Sequence, residues 1–171
     1  GTFLATATDA EGRIAATSRD TRGRPITIGE ASGTADERTT SITWHPVFNL
    51  PVTIATERLT QTRGYDSQGR LTSLTLTDTT SHVSPYPTNG QARAYTYGRD
   101  ANSRLLSQNG PLAANGALDD VTSYTYDASG NLLTMSNALG QVTTYAGYDA
   151  NGRPGSMTDP NGVVTTFAYD P

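Results

Sequence analysis

At 171 residues the chain has room for one ordinary domain, yet only 35% of it is apolar, low for a compact core. Threonine, glycine and tyrosine fill the deficit rather than charge, which excludes plain disorder and favours strands and turns. A net charge of −4 without a basic run, no cysteine and no long apolar stretch exclude a phosphate-tracking surface, disulfides, thiol chemistry, cysteine–zinc sites and a membrane-spanning helix.

Residues 1–30 read as a first group of hairpins, with turns at Asp9–Gly12 and Asp20–Gly23. The N-terminus GTFLATATDAEGR has no basic-then-apolar signal pattern, and Gly1 as first residue reads as an excised piece or a processed product. ASGTADERTT, residues 31–40, is polar and expected to be a loop. SITWHPVFNLPVTIATE follows, the most apolar stretch, and holds the only tryptophan, Trp44. RLTQTRGYDSQGRLTSLTLTD returns to a strand–turn–strand pattern around Asp66–Gly69. SHVSPYPTNGQAR, residues 81–93, is a proline-rich turn or loop. From Tyr95 the pattern is regular, apart from an insert from Asn109-Gly110-Pro111 to Asp120 that is expected to be a loop. Leu118-Asp119-Asp120-Val121 has room for one turn of helix at most, and no segment has helix period. The expected organisation is a single repeat region over 1–171, degenerate over 1–94 and regular over 95–171, within a larger protein.

Tyr-Asp recurs at Tyr126-Asp127, Tyr148-Asp149 and Tyr169-Asp170, with spacings of 22 and 21 residues. A period in that range marks a repeat architecture. Asp-x-x-Gly recurs at half that period, at Asp9–Gly12, Asp20–Gly23, Asp66–Gly69, Asp127–Gly130, Asp149–Gly152 and Asp159–Gly162. Asp100–Ser103 and Asn137–Gly140 are degenerate copies. In a type I turn the first-position Asp bonds a backbone N–H two residues on. Gly at the fourth position suits the left-handed region and the hairpin bulge. Turn closures at 130, 140, 152 and 162 leave strands of about six to eight residues. Each repeat is then one hairpin, with turns alternating between two edges.

In the expected strand Val121–Tyr126, alternation places Tyr124 and Tyr126 on one face and Ser123 and Thr125 on the other. Phe167 and Tyr169 repeat this against Thr166 and Ala168. One extra residue in Thr143–Tyr148 predicts a β-bulge at Ala146–Gly147. The expected fold class is all-β: antiparallel hairpin repeats forming a curled, twisted sheet in which stacked neighbours supply the stability.

SYTYDASGNLLTMSNALGQVTTY and YDANGRPGSMTDPNGVVTTFAYD resemble the YD-repeat, or RHS-repeat, proteins. TWHPVFNLPVTI and the Asn109-Gly110-Pro111 insert resemble parts of the bacterial RHS core. The resemblance covers most of the chain and is strongest from Tyr95 onward. It implies a section of β-shell that encloses a polymorphic C-terminal toxin or effector as its partner, related to the shells of Tc toxins and the barrel of teneurins. It also implies a secreted or cell-surface bacterial protein. The family's self-cleaving segment is not matched; Asp159-Pro160-Asn161-Gly162-Val163 sits inside an ordinary repeat.

The aspartates invite acid–base or calcium readings, but their fixed place before a glycine assigns them to turns, and the calcium-loop pattern is missing. His45 and His82 are too few for a zinc site, and no nucleophile elbow exists near Ser41 or Ser84. No enzyme activity, cofactor or metal is expected. The repeat aromatics Tyr65, Tyr97, Tyr126, Tyr148 and Tyr169 are expected to pack across strands. The alternative function is an adhesion or carbohydrate-binding module recognising a cell-surface glycan, with Trp44, if exposed, as the ligand contact. Neither nucleic acid nor membrane insertion is expected, while open sheet edges favour edge-to-edge self-association. All twelve basic residues are arginine, which reads as coding bias.

Overall fold

The computed structural model describes residues 2–81, 85, 87–111 and 120–170. Every regular element among them is a strand. The chain divides into two units, one ending at Ala94 and the other beginning at Tyr95.

The first unit holds β1 (Phe3–Thr8), β2 (Ile14–Arg19), β3 (Pro25–Glu30), β4 (Arg38–Trp44), β5 (Pro51–Ala55), β6 (Leu59–Tyr65) and β7 (Leu71–Asp78). Each pairs antiparallel with the next. β8 (Ala92–Arg99) crosses the boundary. Within the second unit its residues from Thr96 on pair with β9 (Leu105–Asn109). β10 (Thr122–Tyr126), β11 (Leu132–Ser136), β12 (Val142–Ala146), β13 (Ser156–Thr158) and β14 (Val164–Thr166) continue the meander. The fold is the all-β, antiparallel hairpin repeat that the turn spacing predicts.

Three expectations need correction. The loop at 31–40 ends early: β4 starts at Arg38, and Thr39 and Thr40 pair with Gly29 and Ile28. β-Branched threonines extend the strand into the polar segment. The strands of the second unit are also shorter than six to eight residues, five in β9 to β12 and three in β13 and β14. Each turn consumes more chain than four residues, because the N–H of the opening residue pairs with the carbonyl four positions on, as in Asp149 N to Arg153 O at 3.0 Å. The strand expected from Val121 starts at Thr122. His82, Ser84, Leu118 and Asp119 lie outside the described residues.

At Ala146–Gly147, where a bulge is predicted, the Gly155 N–H is shared by both carbonyls at 3.0 Å, with Gly147 at φ +68°. Bulges are more regular than the sequence suggests. The register also shifts at Ser18/Arg19, Thr43/Trp44, Gly64/Tyr65, Gly98/Arg99 and Thr125/Tyr126, each beside a turn on one edge.

Cross-strand register separates two faces in each unit. In the first, Thr43, Thr53, Thr62 and Thr75 lie opposite one another in turn, as do Ser18, Thr27 and Ser41. In the second, Thr125, Thr134, Thr144 and Thr158 do the same. Their hydroxyls meet, Ser18 to Thr27 at 2.5 Å and Thr125 to Thr134 at 2.6 Å. The other face carries Ile42, Ile54, Gln61 and Leu76 in one unit and Tyr124 opposite Met135 in the other. Where exposure alternates, as in β4 and β10, the hydroxyl face is the open one and the apolar face half-buried. No hydrophobic side chain among the described residues is fully buried. Cohesion must therefore come from backbone ladders and from what the turns do.

Candidate functional site: the ladder of turns

A turn aspartate is an acceptor hub. In the Asp149 turn, Oδ1 accepts the N–H groups of Asn151 and Arg153, both at 2.9 Å, while Oδ2 accepts Nε of Arg153 at 2.7 Å. Gly152 N–H returns to the Asp149 carbonyl at 3.0 Å, and Gly152 takes φ +74°, where a Cβ is strained. The same closure, glycine N–H to aspartate carbonyl, places Asp9 with Gly12, Asp20 with Gly23, Asp66 with Gly69, Asp127 with Gly130 and Asp159 with Gly162. Asn137 does likewise with Gly140, its Oδ1 accepting from Leu139 and Gln141.

The arginine four residues on is the partner that sequence reading missed. Arg13, Arg24, Arg70, Arg104 and Arg153 each donate Nε to the turn carboxylate, at 2.6–2.9 Å. Lysine has no Nε–H on a planar fork, so arginine here has a geometric use beyond coding bias. Asn131 stands in at Asp127, with Nδ2 on Oδ2 at 2.9 Å.

At Asp100 the closing residue is Ser103, at φ +71° where the other turns use glycine. Ser103→Gly is expected to stabilise the second unit by about 0.5–1 kcal/mol, since the left-handed penalty falls while the turn persists. A urea titration followed by circular dichroism measures it; an unchanged or lower midpoint would mean the serine is not strained.

The residue just before the turn reaches backward. Tyr126 donates its hydroxyl to Leu105 O at 2.9 Å, Tyr148 to Leu132 O at 2.6 Å and Tyr169 to Pro154 O at 2.9 Å. Each acceptor is the residue after the i+4 position of the preceding turn on the same edge. Above the tyrosine lies the arginine of that turn: Arg104 is 5.3 Å from the Tyr126 ring and Arg153 4.7 Å from Tyr169. Both arginines then donate Nη1 to the next aspartate's carbonyl, Arg104 to Asp127 O and Arg153 to Asp170 O. Tyrosine and aspartate thus do different jobs, the first tying a turn to its predecessor and the second closing the turn. Tyr97 stands three positions before Asp100 and lies opposite Gln108.

Trp44-His45 is the same unit in other residues. Trp44 is half-buried, donates Nε1 to Pro25 O at 2.7 Å and lies under Arg24 at 5.2 Å. His45 Nδ1 accepts the N–H groups of Val47 and Phe48 at 3.2 and 3.1 Å, as an aspartate would. Tyr65 donates to Pro51 O at 2.8 Å, and His45 stacks on Phe48 at 4.8 Å. Trp44 is thus neither buried nor fully exposed, and its indole N–H is committed to the Pro25 carbonyl. Among the described residues no group of three metal-ligating side chains forms.

These hubs titrate. Backbone and side-chain hydrogen bonds from Arg70 hold Asp66 below the usual carboxylate range, against partial desolvation. The Asn131 side chain and N–H do so at Asp127, and the Arg153 N–H and guanidinium at Asp149. A carboxyl lowered on folding stabilises above its unfolded value and loses that contribution as pH falls through the folded one. The thermal midpoint is therefore expected to be flat from neutrality to about pH 5 and to fall below about pH 4. Melts at stepped pH test this, and a midpoint unchanged at the acid end would remove the carboxylates from the account.

The RHS Repeat family model matches residues 100–142, 126–164 and 148–171. Those windows open at Asp100, Tyr126 and Tyr148, on the edge just described. In fold, the chain is similar to the crystal structure of TcdB2-TccC3 without its hypervariable C-terminal region, with TM-score 0.70 and 18% identity. The match covers 98% of this chain and 9% of that one, so the chain spans under a tenth of its length. A structure of TcdB2-TccC3-Cdc42 matches at TM-score 0.48 and 16% identity, covering 98% of this chain and 11% of that one. No curated protein matches.

Proposed function

We propose that this chain, whose residues 100–171 match the RHS Repeat family model, is a section of β-shell whose work is containment of a C-terminal toxin or effector. The observation that carries this reading is the backward tie of Tyr126, Tyr148 and Tyr169. Each repeat is held by its neighbours instead of a central core, so the structure extends by addition, as a wall must. The hypervariable C-terminal region of TcdB2-TccC3 suits a constant shell around a changing cargo. Secretion or display at a bacterial surface follows from the same reading. The chain itself performs no chemical step in this scheme.

Limited proteolysis of the longer protein, with its C-terminal region followed by mass spectrometry, is the test. Survival of that region until the repeats are cut supports containment. Its immediate loss while the repeats persist would end the proposal.

A further inference from the structure

In the second unit, an arginine four positions after the turn aspartate joins two turns. Arg104 holds Asp100 through Nε at 2.6 Å, lies 5.3 Å from the Tyr126 ring and donates Nη1 to Asp127 O at 3.1 Å. Arg153 repeats these three contacts with Asp149 at 2.7 Å, the Tyr169 ring at 4.7 Å and Asp170 O at 3.2 Å. The step between them is built differently. Its residue in the arginine position is Asn131, whose Nδ2 is committed to Asp127 Oδ2 at 2.9 Å. Asparagine ends at the δ position, whereas arginine continues to η. The backward bond survives, Tyr148 donating to Leu132 O at 2.6 Å, so the ring takes the place that Tyr126 and Tyr169 take in their own steps. Among the described residues no guanidinium lies over it.

The short side chain leaves a cavity of about 790 Å³, lined by Asp127, Asn131, Leu133, Tyr145, Tyr148 and Asp149. Its walls have the chemistry of a cation site. The Tyr148 ring offers a π face. The Asp149 carbonyl accepts the Gly152 N–H, as the Asp127 carbonyl accepts that of Gly130, and a second lone pair remains where Asp127 receives Arg104. Hydrogen bonds from Asn131 hold the Asp127 carboxyl below its usual range, so it is an anion at neutrality. Burial first, then Tyr145 and the Asp127 charge, push the Tyr148 phenol above its usual range. The last of these is a negative field at the ring.

We propose that the gap over Tyr148 is a binding site for the guanidinium group of an arginine side chain supplied by a partner polypeptide. That group lies on the ring and donates to the Asp149 carbonyl, as Arg104 does on Tyr126 and to Asp127 one step earlier. An arginine is the ligand because the flanking steps hold that same side chain in the same place. A guanidinium suits the gap better than an ammonium, since it is planar and stacks while its N–H groups point outward in the plane. The site is independent of whether the shell contains a cargo.

Titration of the 171-residue chain with the peptide acetyl-Gly-Arg-Gly-amide, followed by NMR, tests this. Saturable shifts are expected at the amides of Asn131, Tyr148 and Gly152. Half-saturation should fall on the order of 10 mM, as befits one exposed cation–π contact with one hydrogen bond. The lysine counterpart should need about threefold more peptide. The citrulline counterpart, equal in shape but uncharged, should give no shift. Asn131→Arg fills the gap from within, so it is expected to abolish the response and to raise the thermal midpoint by about 2–5 °C. Should that variant fail to fold, the comparison of arginine with citrulline on the wild-type chain decides. A wild-type chain without saturable shifts overturns the proposal. So do citrulline or lysine shifts equal to those of arginine, or an Asn131→Arg chain that responds as the wild type does.

Discussion

Gly155→Val is expected to lower stability by about 3–5 kcal/mol, more than any other single glycine replacement considered. The reason is space, not backbone conformation. A Cβ on Gly155 would lie 2.7 Å from the Gly147 carbonyl oxygen and 3.4 Å from its carbon, with backbone on the receiving side. No rotamer change relieves such a contact. Gly155 also holds three strands in register: its N–H serves Ala146 and Gly147, and its carbonyl accepts Phe167 N–H at 2.9 Å. A side chain there separates β12 from β13 and disturbs the approach to β14. Gly152→Val is the comparison. It places a β-branched residue at φ +74°, a cost of about 1–3 kcal/mol, but its Cβ meets only Asn131 Oδ1 at 3.4 Å. Urea unfolding of both variants, followed by far-UV circular dichroism, decides. If Gly152→Val were the worse of the two, the close approach of Gly147 and Gly155 would be wrong.

The contrast between these glycines shows what a sequence discloses. Gly152 is legible because its conformational need is local and repeats with the aspartate three residues earlier. Gly155 follows Pro154 with no repeat to mark it, and its role exists only once β12 and β13 are paired. The turns and the alternation within strands are likewise local, so the all-β hairpin architecture could be read directly. The backward reach of Tyr148 to Leu132 spans sixteen residues. Nothing in the motif says where a tyrosine hydroxyl goes; alternation discloses only the face that the ring takes. The Asp–Arg pairs sit four residues apart, within reach of inspection. An arginine-only basic set reads as coding bias from composition alone, because composition does not show the carboxylate that each turn offers the guanidinium. Trp44-His45 was hidden by chemistry: neither residue resembles Tyr-Asp in type, yet an indole N–H replaces a phenol O–H and an imidazole nitrogen replaces a carboxylate oxygen.

That substitution of one chemistry for another supplies the second large effect. Trp44→Ala is expected to destabilise the first unit by about 2–4 kcal/mol, because three contributions vanish together. The half-buried ring is lost from the apolar face, Pro25 O loses its 2.7 Å donor, and Arg24 loses the surface beneath its guanidinium. Graded replacements separate these contributions. Trp44→Phe keeps a ring under Arg24 but no donor, and should cost about 1–2 kcal/mol. Trp44→Tyr should be milder still, since tyrosine hydroxyls reach the equivalent carbonyl at Leu105, Leu132 and Pro154. The expected order of damage is therefore Tyr, then Phe, then Ala, read by circular dichroism because the fluorophore is gone. A binding role makes a different pattern. If Trp44 served a glycan, all three variants would keep the wild-type midpoint and lose retention on immobilised glycans. Stability that falls in the stated order assigns the tryptophan to the ladder; stability that does not move assigns it to a ligand, and the aromatic tie between the Asp20 and His45 turns would have to be abandoned.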